Sequence, residues 1–238
     1  MTSPRNLDRL PQHIAFIMDG NGRWAEKHDL PRQEGHKRGA ICLQRVVELS
    51  ISYKIPYLTF YAFSTENWNR PRLEVDGLFA LLDIKLEEGI QFALKNGVRF
   101  RHLGKLDKLP RKVQDKIVEA HKLTKDNQAI TVSMAFNYGS RDEIVEAAKS
   151  IVRDHVKPED IKETVMQHYL FTDGIPDPDL VIRTGGEMRL SNFLLWQSAY
   201  AEIYFTDVLW PDFNQEELDE ALIDFSKRKR RFGKLTDR

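Results

Sequence analysis

The chain has 238 residues, enough for one large domain or two small ones, and 41% of them are hydrophobic, which allows a substantial core. Its 36 Lys and Arg residues balance 36 Asp and Glu residues, so bulk attraction to nucleic acid or anionic lipid is not expected. The single Cys42 excludes an internal disulfide and suits a reducing compartment. No apolar stretch is long enough for a transmembrane helix, and the first residues lack a signal-peptide core, so we expect a cytoplasmic protein.

Short apolar runs alternate along the chain with longer segments of helical periodicity. The runs that predict buried strands are 14–18, 57–63, 98–104, 130–136 and 180–183. The segments that predict helices are 35–54, 72–96, 109–127, 140–156, 157–170 and 214–232. Ser140 with Glu143, and Asn214 with Glu217, have the spacing of a capping box.

This alternation is typical of an α/β domain with a central, mostly parallel sheet flanked by helices. Composition marks no boundary, so residues 1–238 are predicted to form a single domain. The segment 174–180 is short and rich in proline, which indicates a rigid loop between two structured parts.

A polar cluster follows each of three predicted strands. The clusters are DGNGR at 19–23, STENWNR at 64–70 and RTGGEMRLS at 183–191. One such cluster is explained equally well by a tight turn, because glycine and asparagine favour turns. Three clusters favour a shared ligand site, since ligands bind beyond the carboxyl ends of strands in open parallel sheets.

These clusters and the segment after the first of them supply cations. Guanidinium groups match phosphate oxygens, and glycine lets backbone N–H groups approach a ligand closely. The residue types therefore point to phosphate or diphosphate ligands, although any single arginine could equally be a solvated surface residue. The candidate cations are Arg23, Arg32, His36, Arg70, Arg183 and Arg189.

Two acids have alternative interpretations. Asp19 is the acid of the first cluster, and it could be a salt-bridge partner of nearby arginines or a ligand of Mg²⁺ shared with phosphate oxygens. Glu202 stands in the apolar and aromatic run AYAEIYF, where an unpaired carboxylate would be costly to bury. For Glu202 we expect a partner or a metal rather than full exposure.

The segment 72–96 predicts a helix of about 37 Å with a wide apolar stripe. Val75, Leu78, Phe79, Leu82, Leu86 and Ile90 share one face, whereas Leu73, Leu81 and Ile84 lie off it. A buried core helix is the simpler interpretation of this stripe. The functional alternative is the wall of a long apolar channel.

Several common site motifs are missing from the sequence. There is no P-loop, no dinucleotide fingerprint, since Ala25 occupies its third glycine position, and no Gly-x-Ser-x-Gly elbow. No paired cysteines could bind zinc, and no DDxxD cluster is present.

Three long stretches resemble the cis-prenyltransferase family, and the resemblance covers essentially the whole chain. They are HIAFIMDGNGRWA at 13–25, AFSTENWNRP at 62–71 and the segment 179–213. The resemblance implies one α/β domain with an apolar tunnel, a homodimer, and Mg²⁺ as cofactor. It also implies condensation of farnesyl diphosphate with successive isopentenyl diphosphates in cis, which gives undecaprenyl diphosphate, the precursor of the peptidoglycan lipid carrier.

The resemblance also implies roles for matching positions. Asp19 would be the essential acid that places Mg²⁺ on the allylic diphosphate, Glu202 a second metal contact from the partner subunit, and Asn67 a proton acceptor, although an amide is a poor base. The allylic diphosphate would contact Gly20, Asn21, Gly22 and Arg23, with Arg32 and His36 assisting. Further substrate contacts would be Trp24, Ser64, Thr65, Glu66, Trp68 and Arg70. The isopentenyl diphosphate would contact Arg183, Arg189, Leu190 and Ser191.

The remaining expectations concern the tunnel, one departure from the family pattern, and the end of the chain. Ala40 and Ala62 would be small residues near the tunnel mouth. Lys105 stands where the family often has aspartate, from which we expect altered local pairing. The basic segment 227–234 is interpreted as a solvated helix end, with contact to anionic lipid as the alternative. A lipid product implies delivery to the membrane, so the inner face of the plasma membrane is a second expected location.

Three other interpretations stay open on sequence grounds: a cis-prenyltransferase with a shorter product, a non-catalytic partner subunit, and an unrelated phosphate-binding protein or hydrolase. The partner subunit is disfavoured because the loop from Asp19 to Arg23 is intact.

Overall fold

Six parallel strands form one sheet in the computed structural model, which describes residues 9–228. Along the chain they are β1 (His13–Ile17), β2 (Tyr57–Ser64), β3 (Val98–Leu103), β4 (Ile130–Tyr138), β5 (Leu180–Arg183) and β6 (Glu202–Phe205). Their order in the sheet is β3-β4-β2-β1-β5-β6, and every neighbouring pair is parallel. The predicted α/β class is therefore confirmed.

Helices lie in the connections between the first five strands, whereas the connection from β5 to β6, at 184–201, consists of turns. The helices are α1 (Asn21–Lys27), α2 (Arg32–Ser52), α3 (Arg72–Asn96), α4 (Arg111–Thr124), α5 (Ser140–Arg153), α6 (Glu163–Tyr169) and α7 (Gln215–Lys227). Short 3₁₀ helices lie at Thr65–Asn69, Pro158–Asp160 and Trp210–Asp212. None of the helices in residues 9–228 has the length and apolarity needed to cross a membrane.

Both faces of the sheet are covered by other parts of the protein. Because successive side chains of a strand point to opposite faces, neighbouring residues enter different cores. Ile14 and Phe16 of β1 pack into one core with residues of α2 and α7. Ala15 and Ile17 pack into a second core on the opposite face, which includes Phe193. This double burial explains why β1 reads as a continuous apolar run in the sequence.

Helix α3 has the buried stripe that its periodicity predicts. Val75, Phe79, Leu86 and Ile90 are buried. Leu73 is 86% exposed and Ile84 56% exposed, as their positions off the stripe predict.

Three sequence predictions of secondary structure are wrong or incomplete. Strand β6 was not predicted; it is a short edge strand whose residues are all partly exposed, and the acid Glu202 interrupts its apolar run. The predicted helix 157–170 is instead a 3₁₀ turn and α6, separated by extended residues Ile161 and Lys162. Helix α1 begins directly after Gly20, so Asn21 to Arg23, predicted to lie in a loop, form the first turn of a helix.

One of the two predicted capping boxes is wrong, and the other is confirmed only as an N-cap. The N-cap of α5 is Gly139, and Glu143 turns into the core, where its carboxylate accepts hydrogen bonds from the Tyr138 hydroxyl and the Phe171 N–H. Asn214 does cap α7 by accepting from the N–H groups of Glu216 and Glu217. Of the basic segment 227–234, residues 229–234 lie outside the described part of the chain.

Two buried histidines make the stability of this fold dependent on pH. Burial lowers the pKa of His13 and of His102 from 6.5 to about 4 in each case, despite opposing hydrogen bonds to carbonyl groups. The His13 ring lies 2.7 Å from the Pro176 carbonyl oxygen and 2.8 Å from the Thr59 hydroxyl. Since a carbonyl only accepts, Nδ1 carries the proton and Nε2 accepts from Thr59.

We predict that the free energy of unfolding falls as the pH drops from 7 to 5. The unfolded chain binds protons at these histidines below pH 6.5 and the folded chain does not, so each costs about 2 kcal/mol at pH 5. Denaturant unfolding at both pH values measures this. His13→Gln should flatten the dependence, whereas the exposed His121→Gln should leave it unchanged; equal slopes in all three proteins would contradict the assignment.

Candidate active site

The three predicted polar clusters lie together at one edge of the sheet. Strands β2, β1 and β5 are neighbours, with Ile17 of β1 aligned to Tyr61 of β2 and to Arg183 of β5. Because all three strands are parallel, their carboxyl ends meet. The expectation that the clusters share an edge is confirmed.

Asp19 joins the first and third clusters. Its two carboxylate oxygens accept from different arginines: Oδ1 is 3.1 Å from Arg23 Nη2, and Oδ2 is 2.9 Å from Arg183 Nη2. Its backbone carbonyl accepts from the Thr184 hydroxyl at 2.7 Å and from the Trp210 N–H at 3.0 Å. The salt-bridge interpretation of Asp19 is thus confirmed, and it does not exclude a metal, because a carboxylate offers about four lone pairs.

Arg183 is a buried cation, only 4% exposed. Besides Asp19, its guanidinium donates to the Ser191 hydroxyl at 2.8 Å and to the Arg189 carbonyl. Its Nε atom is buried and has no hydrogen-bond partner within the described residues. Arg183 is therefore held in one position, with one buried donor still available.

Glycines in the third cluster allow this close packing. Arg23 Nη1 donates to the Gly185 carbonyl at 2.6 Å. Gly185 has φ +85°, and a Cβ atom there would lie 2.5 Å from Arg23 Nη2. A side chain at this position would therefore displace the arginine.

A second group of cations surrounds Glu74 at the start of α3. Arg70 Nη1 lies 3.1 Å from Glu74 Oε1, and Arg32 Nη1 lies 3.6 Å from Glu74 Oε2. Burial, and next the positive charge of Arg70, lower the pKa of His36. The lowered pKa favours the uncharged form of His36, and its role in binding a diphosphate stays a prediction.

The 3₁₀ helix Thr65–Asn69 gives Asn67 a structural task. Asn67 Oδ1 accepts from the Ser64 N–H at 3.0 Å, and the Ser64 side chain accepts in return from the Asn67 backbone. Thr65 and Glu66 begin the same short helix, and Glu66 accepts from Asn192 Nδ2 at 2.9 Å. The proton-acceptor role of Asn67 stays a prediction.

The two predicted tryptophan contacts use their indole N–H groups inside the protein. Trp24 donates to Asp212 at 2.7 Å, is buried, and stacks on His28. Trp68 donates to Asn137 at 2.8 Å and packs against Phe63 and Phe79. Any substrate contact of either residue would use a ring face or edge and stays a prediction.

The remaining residues of the third cluster differ in their surroundings. Arg189 is exposed and pairs with Glu187 at the rim of the site. Leu190 is partly buried against the core that contains Phe193. Ser191 is fixed through its contact with Arg183.

Glu202 lies away from this edge. It aligns with Leu180 at the amino end of β5, whereas the site begins at Arg183. Its carboxylate pairs with Arg228 at 3.0 Å, which confirms the expected partner. Among residues 9–228 no group of three or more His, Cys, Asp or Glu side chains is placed to hold a metal.

An apolar cavity of about 270 Å³ begins at the polar edge. Asn21 and His36 line it beside the cation groups, and the predicted small residues Ala40 and Ala62 line it as well. Leu81, predicted to lie off the apolar face of α3, also contributes. Further lining residues come from α2, α3, β2, β3 and β4: Leu43, Val47, Leu78, Phe79, Leu82, Leu86, Phe63, Phe100, Val132 and Phe136.

Sequence reasoning missed the residues that place these groups. Glu74, Thr184 and Asn192 organise the cations and the loops, yet each reads as an ordinary polar residue. Gly35 and Gly39 of α2 face Asn21: a Cβ atom would lie 2.0 Å from the Asn21 carbonyl at Gly35, and 2.3 Å from Oδ1 at Gly39. Two glycines four residues apart lie on the same face of a helix, and this spacing could have predicted the close contact with Asn21.

Comparison with known proteins identifies the group to which the site belongs. The family model described as "Putative undecaprenyl diphosphate synthase" matches residues 17–233. The chain is a member of the cis-prenyltransferase family. The predicted transferase activity class is thereby confirmed, as is the enzyme prediction at this level.

Individual members of the cis-prenyltransferase family match nearly the whole chain. An isoprenyl transferase of Heliobacterium mobile is 51% identical over 229 residues, covering 94% of this chain and 88% of the relative. A Legionella pneumophila protein named ditrans,polycis-undecaprenyl-diphosphate synthase ((2E,6E)-farnesyl-diphosphate specific) is 45% identical over 232 residues, covering 96% of this chain and 98% of the relative. The crystal structure of lavandulyl diphosphate synthase from Lavandula x intermedia, in complex with dimethylallyl diphosphate, superimposes with a TM-score of 0.90 at 35% identity and covers 94% and 98% of the two chains.

The close approach of α1 to α2 yields a prediction for this cis-prenyltransferase. Gly39→Ala should lower the melting temperature, because the new methyl group would overlap Asn21 Oδ1 and overpacking costs about 1–3 kcal/mol. Gly89→Ala is the matched control: nothing lies within 4 Å of a Cβ atom there. Since alanine favours helix over glycine by about 1 kcal/mol, the control should be stabilised. Thermal unfolding measures both, and a stabilised Gly39→Ala protein would contradict the packing described.

Proposed function

We propose that this protein condenses (2E,6E)-farnesyl diphosphate with successive isopentenyl diphosphates in cis to give undecaprenyl diphosphate. The observation that carries the proposal is the apolar cavity, which starts among the cations at the sheet edge and runs between α2 and α3. A diphosphate could stay at the edge while an apolar chain of growing length occupies the cavity. The name of the Legionella pneumophila relative supports the same allylic substrate and product.

The residues of this edge divide into two candidate diphosphate sites. Arg23, Arg32 and the N–H groups around Gly20 to Gly22 are suited to the allylic diphosphate. Arg183, Arg189 and Ser191 are suited to the second diphosphate. Two separate sets would hold the reacting carbons close together and in a fixed orientation. Such positioning lowers the activation free energy of a reaction between two molecules.

Each condensation breaks the C1–O bond of the allylic diphosphate, forms a bond from that carbon to C4 of isopentenyl diphosphate, and removes a proton from C2. Arginines that face the departing diphosphate would stabilise the charge that develops on it. Asn67 is a poor base, and its carbonyl oxygen already accepts from Ser64. We therefore propose that Asn67 orients the substrate and relays the proton to a diphosphate oxygen or water.

Mg²⁺ is the proposed cofactor. It commonly takes one or two carboxylates and completes its shell with phosphate oxygens and water, so a single carboxylate beside a diphosphate fits this ion. Asp19 is 31% exposed and stands among phosphate-binding candidates. When bound, the ion would neutralise charge on the leaving diphosphate. A contribution from Glu202 would have to come from the partner subunit, because within one chain it lies at the other end of its strand.

A homodimer and delivery of the product to a membrane complete the proposal. Val145 and Val152 of α5 lie seven residues apart on one helical face and are 51% and 74% exposed, which suits an interface. Sedimentation of the purified chain tests this assembly. A polyprenyl product has low solubility in water, so we place the enzyme in the cytoplasm, peripheral to the inner face of the plasma membrane. The product would serve there as precursor of the peptidoglycan lipid carrier.

The decisive experiment is product sizing. Purified protein incubated with farnesyl diphosphate, Mg²⁺ and labelled isopentenyl diphosphate should give a product eleven isoprene units long, as the term undecaprenyl requires. A product of few units would replace this proposal by a shorter-chain cis-prenyltransferase. Release of phosphate without chain growth would indicate a hydrolase.

Asp19→Asn tests the metal assignment. The amide keeps the shape and loses the charge, so we expect Mg²⁺-dependent prenyl transfer to fall about 100-fold or more, as for loss of a transition-state stabilising group. Asp83→Asn is the control, since Asp83 also accepts from two cations, Lys112 and Lys116, on the α3–α4 surface. Steady-state rates at several Mg²⁺ concentrations measure the effect. Full activity of Asp19→Asn would rule out the metal role.

A further inference from the structure

The loop after β5 has an unusual backbone. Ser191, Asn192 and Leu194 have φ values of 50°, 63° and 45°, a region that residues other than glycine seldom adopt. Such residues persist only where surrounding contacts hold them. Asn192 supplies three of those contacts.

Two of the three contacts cap helix α5. The Ser140 N–H donates to the Asn192 carbonyl at 2.9 Å, and the Arg141 N–H donates to Asn192 Oδ1 at 2.9 Å. The N-cap residue of α5 is Gly139, which has no side chain to make these bonds. A Cβ atom at Gly139 would lie 2.8 Å from Asn192 Nδ2, so the glycine makes room for a cap from another loop.

The third contact leads to the exit of β2. Asn192 Nδ2 donates to Glu66 Oε1 at 2.9 Å. Burial alone would raise the pKa of Glu66, but hydrogen bonds, first that from Asn192, lower it below its usual value. The carboxylate is thus ionised at neutral pH and accepts a charge-assisted bond.

The contact bridges two parts of the proposed site. Asn192 follows Ser191, whose hydroxyl accepts from the buried Arg183. Glu66 precedes Asn67 in the 3₁₀ helix. Resting on the proposed function, we propose that Asn192 and Glu66 form a clamp of positioning residues, which fixes the spacing between the isopentenyl diphosphate ligands and the turn that carries Asn67.

A purely structural role for Asn192 is the competing explanation, and the two roles use different atoms. Capping of α5 uses the carbonyl and Oδ1, whereas the clamp uses Nδ2. Asn192→Asp keeps the cap, because a carboxylate accepts from Arg141 and an anion is favoured at a helix N-terminus. Aspartate also tolerates positive φ. The substitution removes only the donor to Glu66 and places two carboxylates face to face.

We predict that Asn192→Asp increases KM for isopentenyl diphosphate about tenfold, the scale of a lost hydrogen bond to a charged group. The melting temperature should change little, because the favourable negative charge at the N-terminus of α5 offsets the repulsion between the two carboxylates. KM for farnesyl diphosphate should change by less than about twofold, since that site lies on other loops. Glu66→Gln alone should also raise KM for isopentenyl diphosphate, because an amide accepts more weakly than a carboxylate.

The double variant, Asn192→Asp with Glu66→Gln, reverses the polarity of the pair. The new amide at position 66 can donate to the new carboxylate at position 192, so KM for isopentenyl diphosphate should return to within about threefold of wild type. A double variant with additive losses, or equal changes in KM for both substrates, would overturn the clamp. Wild-type protein without any condensation activity would instead overturn the proposed function.

Discussion

The ion pair between Asp19 and Arg183 is the contact on which the site depends. Arg183 is buried, and a buried guanidinium without a counter-ion would be strongly destabilising. Asp19 supplies that charge from the end of the neighbouring strand, and it also binds Arg23. The pair therefore holds two loops, separated by most of the chain, at a fixed distance. A ligand placed between them meets arginines whose positions are set before it arrives.

Sequence reasoning predicted the sheet because its central strands are buried on both faces and read as apolar runs. It missed β6 because an edge strand keeps side chains partly in water, and Glu202 could then occupy it with Arg228 as partner. It also misread the start of α5. The Ser140–Glu143 spacing fits a capping box, but the cap comes from Asn192, about fifty residues away, and Glu143 is used by the core. A pattern of neighbouring residues in the sequence cannot predict a capping residue that the fold brings in from a distant part of the chain.

The candidate site was predictable as a location and as a set of cations, since charge and strand position are visible in the sequence. The counter-charges were not. Glu74 stands between Arg32 and Arg70 and holds both near His36, whose pKa is lowered as a result of burial and of their charges. Only the three-dimensional arrangement of side chains shows which arginines already form ion pairs within the protein. It also shows which of their nitrogen atoms are left to bind a ligand. Residue types alone overstate the positive charge that a ligand would meet.

Helix α2 shows how one element can serve both halves of the proposed chemistry. Arg32, His36, Ala40, Leu43 and Val47 recur at helical spacing along one face. The first two lie among the cations at the sheet edge, and His36 and the other three line the cavity. The face changes from charged to apolar over about 22 Å, at 1.5 Å per residue. A ligand with a charged head and an apolar tail matches this gradient in one orientation only, with the head at the edge where the strands end.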